Sequence, residues 1–236
     1  PRISHAIGGQ NPDVALGMDR GGLSGDDGPT HHGLFDIGYL RHVPKIVHMQ
    51  PKDEDEFVDM LWTMSNYNSG PIAIRYPRGA GTGAQPKAEP KLLEIGKAEV
   101  VQHGRDVAIF GLGNMFEVAE EAARLLEAQG VSVALINPRW IKPIDTGTLE
   151  FFARSVEVVC TLEDHVLHNG FGCAVMEHLH SNQINTPVVR IGWPDQFIEH
   201  GSIPVLRKKH GLTAEALVEK VAPFLRKKSG NQSSVA

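Results

Sequence analysis

Along this chain apolar positions fall into two rhythms: short continuous runs, and longer stretches in which they recur every three or four residues. The runs at residues 14–18, 45–49 and 72–76 read as strands, the first of them buried, and the stretch 53–67 reads as a helix. Asp53 can cap that helix, Glu54, Asp55 and Glu56 suit the positive end of its dipole, and Phe57, Leu61 and Met64 share one face. Residues 35–40 read as a short helical turn. Farther on the alternation becomes regular, with strands at 106–110, 131–136, 156–162 and 188–191 and helices at 115–129, 146–153, 170–180 and 213–227. Strand–helix alternation predicts an α/β fold in which mostly parallel sheets are flanked by helices. Residues 81–92, rich in Gly, Pro, Ala and Lys, read as an exposed linker between a region at 1–80 and one at 93–228, with 229–236 a polar, flexible tail.

Composition narrows the function classes. With 236 residues, 41% of them hydrophobic, the chain can build real cores, which argues against wholesale disorder. A net charge of −5 without a basic stripe argues against nucleic acid as a partner, and no apolar run is long enough for a membrane span. Two cysteines, Cys160 and Cys173, suit small core positions and a cytoplasmic, reducing setting.

The candidate chemistry lies in the first region. Residues 19–33 hold five glycines, which let backbone approach a ligand closely, together with Asp27 and His31. The imidazole titrates near neutrality and suits proton shuttling. Arg20 and Arg78 each follow a predicted strand, and guanidinium forks match phosphate oxygens. Together these groups describe a site for a small phosphorylated substrate undergoing proton transfer. Spacing alone leaves plain turns and solvated arginines open. It also leaves open a metal set of Asp27, His31, His32 and Asp36. Gly111-Leu112-Gly113-Asn114 invites a nucleotide-binding reading, but the third glycine position is Phe116, which favours an ordinary strand–helix turn. His42 and His48 read as surface or packing residues, and Glu163 as structural or interfacial.

Asp26-Asp27-Gly28-Pro29-Thr30-His31-His32-Gly33, Phe35-Asp36, Tyr39-Leu40-Arg41, Met49-x-Pro51, Asp53-Glu54 and Arg75-Tyr76-Pro77-Arg78-Gly79 resemble the 1-deoxy-D-xylulose-5-phosphate synthase family of transketolase-like enzymes. The likeness continues through Asn137-Pro138-Arg139-Trp140-Ile141-Lys142-Pro143-Ile144-Asp145, Glu163-Asp164-His165, Gly170-Phe171-Gly172 and Gly192-Trp193-Pro194-Asp195-x-Phe197-Ile198. It implies an incomplete pyrimidine-binding-type domain followed by a transketolase C-terminal-like domain, the C-terminal part of such an enzyme. That family condenses pyruvate with glyceraldehyde 3-phosphate and releases CO2, using thiamine diphosphate and Mg²⁺, to make a precursor of isoprenoids, thiamine and pyridoxal. By resemblance Arg20 and Arg78 hold the acceptor phosphate, Asp27 binds a substrate hydroxyl, and His31 assists proton movement. The family's Gly-Asp-Gly…Asn cation motif has no counterpart here, since Gly25-Asp26-Asp27-Gly28 breaks the pattern. The ring-activating glutamate belongs upstream of the matched segment. The expectation is therefore a chain inactive alone, working as a homodimer or with a chain that carries the missing N-terminal part. A β-type subunit of a 2-oxo acid dehydrogenase and a non-catalytic, partner-binding remnant are the alternative readings.

Overall fold

Two sheets, joined by one crossing strand, organise residues 13–225, the residues described by the computed structural model. The first sheet contains β1 (Ala15–Met18), β2 (Val47–Met49) and β3 (Ile72–Arg75), with β3 central and parallel to both neighbours. Its fourth strand, β7 (Trp140–Lys142), comes from much later in the chain and runs antiparallel to β2, pairing His48 with Lys142 and Met49 with Trp140. The second sheet has the order β4 (Glu99–Gln102), β6 (Val133–Asn137), β5 (Val107–Gly111), β8 (Val158–Val166), β9 (Val188–Trp193). Only its β4 edge is antiparallel. β5 and β8 are buried along their whole length; β5 is the continuous apolar run expected between two helical layers, whereas β8 also buries Thr161, Glu163, Asp164 and His165.

The helices follow from local chemistry. In α2 (Glu54–Ser65) the Asp53 carboxylate accepts from the Glu56 amide at 2.8 Å, and three acids occupy the first turn. α3 (Phe116–Glu127) turns Phe116, Ala119, Ala122, Ala123 and Leu126 inward, where they meet α7 (Ala214–Val221) over one face of the second sheet. α4 (Thr146–Ala153) and α5 (Phe171–Ser181) cover the opposite face through Leu149, Phe152, Phe171 and Val175. α1 (Asp36–Arg41) is the short helix expected near 35–40, and α6 (Ile203–His210) precedes α7. No helix among the described residues is long and apolar enough to cross a membrane.

Several elements differ from expectation. β1 is a half-exposed edge strand rather than a buried one. β4, β7 and α6 carried no predicted element. β7 is three residues long between Pro138 and Pro143, too short to show a period, and α6 carries the basic run Arg207-Lys208-Lys209, which masks its apolar face. The helix expected to 227 ends at Val221, followed by a 3-10 turn to Phe224. Residues 226–236, including Arg226, Lys227, Lys228 and the tail, and the polar first dozen lie outside the described residues.

The 81–92 stretch is exposed yet tied to α2. Glu54 accepts from Thr82 Oγ1 at 2.7 Å and the Gly83 amide at 2.9 Å. Asp55 accepts from the Lys87 amide at 2.7 Å, and Asp59 from Lys87 Nζ at 2.6 Å and the Lys91 amide at 2.7 Å. Thr63 Oγ1 accepts from the Leu93 amide at 2.9 Å. Asp55, Asp59 and Thr63 are spaced by four, so they form one row along the helix that receives the strap.

Candidate functional site

The Gly-rich loop begins where β1 ends, and its neck is fixed by backbone pairing. The Gly21 amide donates to the Tyr76 carbonyl at 2.8 Å, and Gly22 and Gly33 exchange bonds of 2.8 and 2.9 Å. Gly33 cannot carry a side chain here, because a Cβ would lie 2.2 Å from the Arg20 carbonyl oxygen. Gly22 has φ +107°, and its Cβ would fall 2.4 Å from Asp164 Oδ2. The loop is therefore a formed structure pressed onto its neighbours. At its outer end the Ser24 amide donates to His32 Nδ1 at 3.1 Å, while His32 Nε2 lies 3.3 Å from the Glu199 carbonyl. That pattern fits a neutral His32 protonated on Nε2.

Three of the four proposed site residues converge on this frame. Arg20, in the left-handed region at φ 59°, reaches back so that Nη1 donates to Asp27 Oδ2 at 2.5 Å. Arg78, three residues beyond β3, donates from its own Nη1 to the same oxygen. A single 3-10 turn at Gly25–Asp27 raises Asp27 to meet them. The side chains are 39% (Arg20), 26% (Asp27) and 47% (Arg78) exposed, so the cluster opens to solvent and to any ligand that reaches it. His31 lies at the rim, exposed, with Nδ1 2.9 Å from Thr30 Oγ1; its carbonyl accepts from Ser24 Oγ at 2.8 Å. No described hydrogen bond joins its ring to the arginine–aspartate cluster. The weighed metal set does not assemble either: Asp27 faces arginines, His32 is built into the loop, and Asp36 is bound to Arg75.

Beneath the loop lies a polar hub that sequence reasoning missed. Arg75, the last residue of β3, is wholly buried. Its Nε donates to Asp36 Oδ2 at 2.7 Å, and its Nη2 to Asp36 Oδ1 and the Gly33 carbonyl, both at 3.0 Å. Nη1 reaches Gln50 Oε1 at 2.7 Å, and Nη2 also reaches the Asp164 carbonyl at 3.3 Å. Burial alone would raise the Asp36 carboxyl, but the Arg75 charge and hydrogen bonds bring it below its ordinary value. His48 is fully buried, and neither ring nitrogen has a hydrogen-bond partner; burial pushes it down to about 3. Burial likewise pushes His165 down to about 4, with the Arg75 charge adding to the effect.

Asp164 ties the second sheet to the loop. Oδ1 accepts from Trp193 Nε1 at 2.6 Å and the Leu23 amide at 3.2 Å; Oδ2 accepts from Asn114 Nδ2 at 2.6 Å and Arg207 Nη2 at 3.4 Å. Asn114 also accepts from Gln50 Nε2 at 3.3 Å, so the 111–114 turn is spent on contacts between the sheets. Glu163 caps α5, accepting from the Phe171 and Gly172 amides at 2.6 and 2.9 Å; burial pushes its carboxyl up to about 7 against those bonds. The one sequence signal for this hub was a charged residue ending an apolar strand, Ile72-Ala73-Ile74-Arg75.

The residues do not fit the diphosphate–cation unit that the resemblance implies. Among those described, no group of three or more His, Cys, Asp or Glu side chains could hold a metal ion. The buried carboxylates Asp36, Glu56, Asp59, Glu163 and Asp164 are each taken up by protein donors. What these residues can do is bind an anion, orient it, and present a carboxylate and an imidazole at the rim.

Known proteins match over nearly the whole chain. The profile for "Transketolase, C-terminal domain" matches residues 96–217, and that for "Transketolase, pyrimidine binding domain" matches 1–82. The 1-deoxy-D-xylulose-5-phosphate synthase of Methylacidiphilum infernorum is 57% identical over 224 residues, covering 95% of this chain and 35% of the relative. That of Acidobacterium capsulatum is 56% identical over 223 residues, covering 94% and 35%. The chain thus spans 35% of the length of these curated relatives. Among solved structures, a "split gene transketolase, inactive beta4 tetramer" superposes with a TM-score of 0.83 at 30% identity, over 94% of this chain and 70% of that one. A mutant transketolase from Pichia stipitis gives a TM-score of 0.67 at 19% identity, over 94% and 31%, a likeness of fold alone.

Proposed function

The chain belongs to the transketolase family, and from that premise we propose that it is the C-terminal portion of a 1-deoxy-D-xylulose-5-phosphate synthase. It supplies the acceptor end of a site for the decarboxylative condensation of pyruvate with glyceraldehyde 3-phosphate. The convergence of Arg20 and Arg78 on a single anionic oxygen carries this reading. Two guanidinium groups that share one carboxylate oxygen are spaced to share a phosphate. In this assignment they hold the acceptor's phosphate, Asp27 binds its hydroxyl, and His31 moves protons at the rim. Residues 1–80 form the pyrimidine-side region and 93–228 the C-terminal one, joined by 81–92.

Thiamine diphosphate with Mg²⁺ is the family's cofactor, supplied here by another part of the protein or by another chain, within a cytoplasmic homodimer or a complex. The solved split-gene relative, described as an inactive β4 tetramer, supports the dependence on a further chain. Calorimetric titration of this chain with thiamine diphosphate and Mg²⁺ is expected to show no micromolar binding. Activity is expected only after a polypeptide carrying the remaining length of a relative is added. Tight cofactor binding or turnover by the chain alone would overturn the reading.

A further inference from the structure

Arg75 is wholly buried, yet its side chain meets both ends of the Gly-rich loop from below. The Gly33 carbonyl accepts twice, from the Gly22 amide at 2.8 Å and from Arg75 Nη2 at 3.0 Å, so one oxygen joins the loop's neck to the arginine. At the other end Gly21 lies against the same side chain: a Cβ there would fall 3.0 Å from Arg75 Nε and 3.2 Å from Arg75 Cβ. Asp36 grips the guanidinium through both carboxylate oxygens and Gln50 Oε1 takes Nη1, which holds the fork in one orientation.

We propose that Arg75 is a positioning residue, which never meets the ligand and sets the spacing of Arg20 and Arg78; the inference rests on reading that pair as a phosphate clamp. Arg20 precedes Gly21, and its carbonyl is pressed against Gly33, while Arg78 leaves β3 three residues after Arg75. The gap between the two guanidinium groups therefore depends on where Arg75 seats the neck. Hydrogen bonds weaken steeply with misalignment, so both forks engage one phosphate only when that gap is held. With the neck loosened, one arm binds and the other trails. This role is separate from the stability that the buried pair contributes, since an apolar pair can fill the same space and offer the Gly33 carbonyl no donor.

The test compares wild type with Arg75→Met combined with Asp36→Leu, both as the full chain and at a temperature where melts show each folded. Amide exchange followed by NMR is expected to be at least about tenfold faster at Gly22 and Gly33 in the double variant, and unchanged along β5. Titration with inorganic phosphate is expected to give at least about fivefold weaker binding. Arg78→Ala, which leaves Arg75 and its partners in place, is the control for the clamp; it should weaken phosphate binding and leave exchange at the neck as it was. Unchanged exchange at Gly22 and Gly33, or faster exchange with unaltered phosphate affinity, overturns the inference and leaves the clamp standing. If wild type binds no phosphate, or Arg78→Ala binds it equally well, the clamp falls and the inference with it. Should the double variant not fold, Arg75→Lys takes its place. It keeps a charge for Asp36 but offers one ammonium instead of a fork, and the same two changes are expected.

Discussion

Replacing Arg75 with methionine keeps much of the side chain's volume and removes a guanidinium that makes five hydrogen bonds in a fully buried position. What remains is the Asp36 carboxylate, 4% exposed, with its charge partner gone, together with two carbonyls and the Gln50 side chain to be satisfied anew. Removing one member of a buried pair costs about 3–5 kcal/mol, because the other charge is left stranded in a poorly polarisable setting. Against a total stability of roughly 5–15 kcal/mol, that is about two to three and a half orders of magnitude in the folded-to-unfolded ratio. Urea titration followed by tryptophan fluorescence reads it, since Trp140 and Trp193 are both wholly buried. The control is Asp36→Leu combined with Arg75→Met, which replaces the pair with apolar side chains and should recover at least about 2 kcal/mol relative to Arg75→Met alone. A loss below about 1 kcal/mol in the single variant, or a double variant no more stable than the single, would refute the hub as a stability element.

Two further outcomes follow from the same geometry. His48, held neutral down to about 3, disfavours folding once the unfolded chain takes up its proton. Its penalty is therefore absent above about pH 6.5, grows as pH falls, and reaches about 2 kcal/mol at about pH 5. Glu163, raised to about 7, acts in the opposite sense between its unfolded value and that pH, so the quantity to measure is the difference between wild type and His48→Leu. That difference should shift toward the variant on acidification; a gap constant from neutral to acidic pH would sink the argument. Second, Asp59→Ala frees the Lys91 amide from α2 and leaves Lys87 held by Asp55 alone, and trypsin should cut within 81–92 at least about fivefold faster. An unchanged cutting rate would show that the strap is held by other contacts.

The sequence made some of this arrangement legible for physical reasons. Val107–Gly111 announces a central strand because it is buried on both faces, and Asp53 with the acids behind it marks the start of α2 because orphan amides need acceptors. Arg20 and Arg78 each follow a predicted strand, which together with the resemblance grouped them with Asp27 and His31; the structure brings the first three together and leaves His31 at the rim. The hub was not anticipated, since a buried arginine is spelled like a solvated one. Asp36 lies 39 residues from Arg75 and the Asp164 carbonyl 89, separations over which no local rule acts. β7 was hidden for a different cause. Its three residues, Trp140–Lys142, are too few to show a period, and they pair with a strand from the other end of the chain.

That crossing strand changes what a cut in the backbone can achieve. Trp140 seats its ring among Met49, Met60 and Ile74, and Lys142 Nζ takes the Arg41 and Val43 carbonyls at 2.9 and 2.7 Å. Severing the peptide between the two sheets would leave both pieces gripping each other, like a laced garment with one stitch removed. Expressed from separate messages, they would have to find one another before the first sheet could be whole, because its fourth strand belongs to the piece that carries the second.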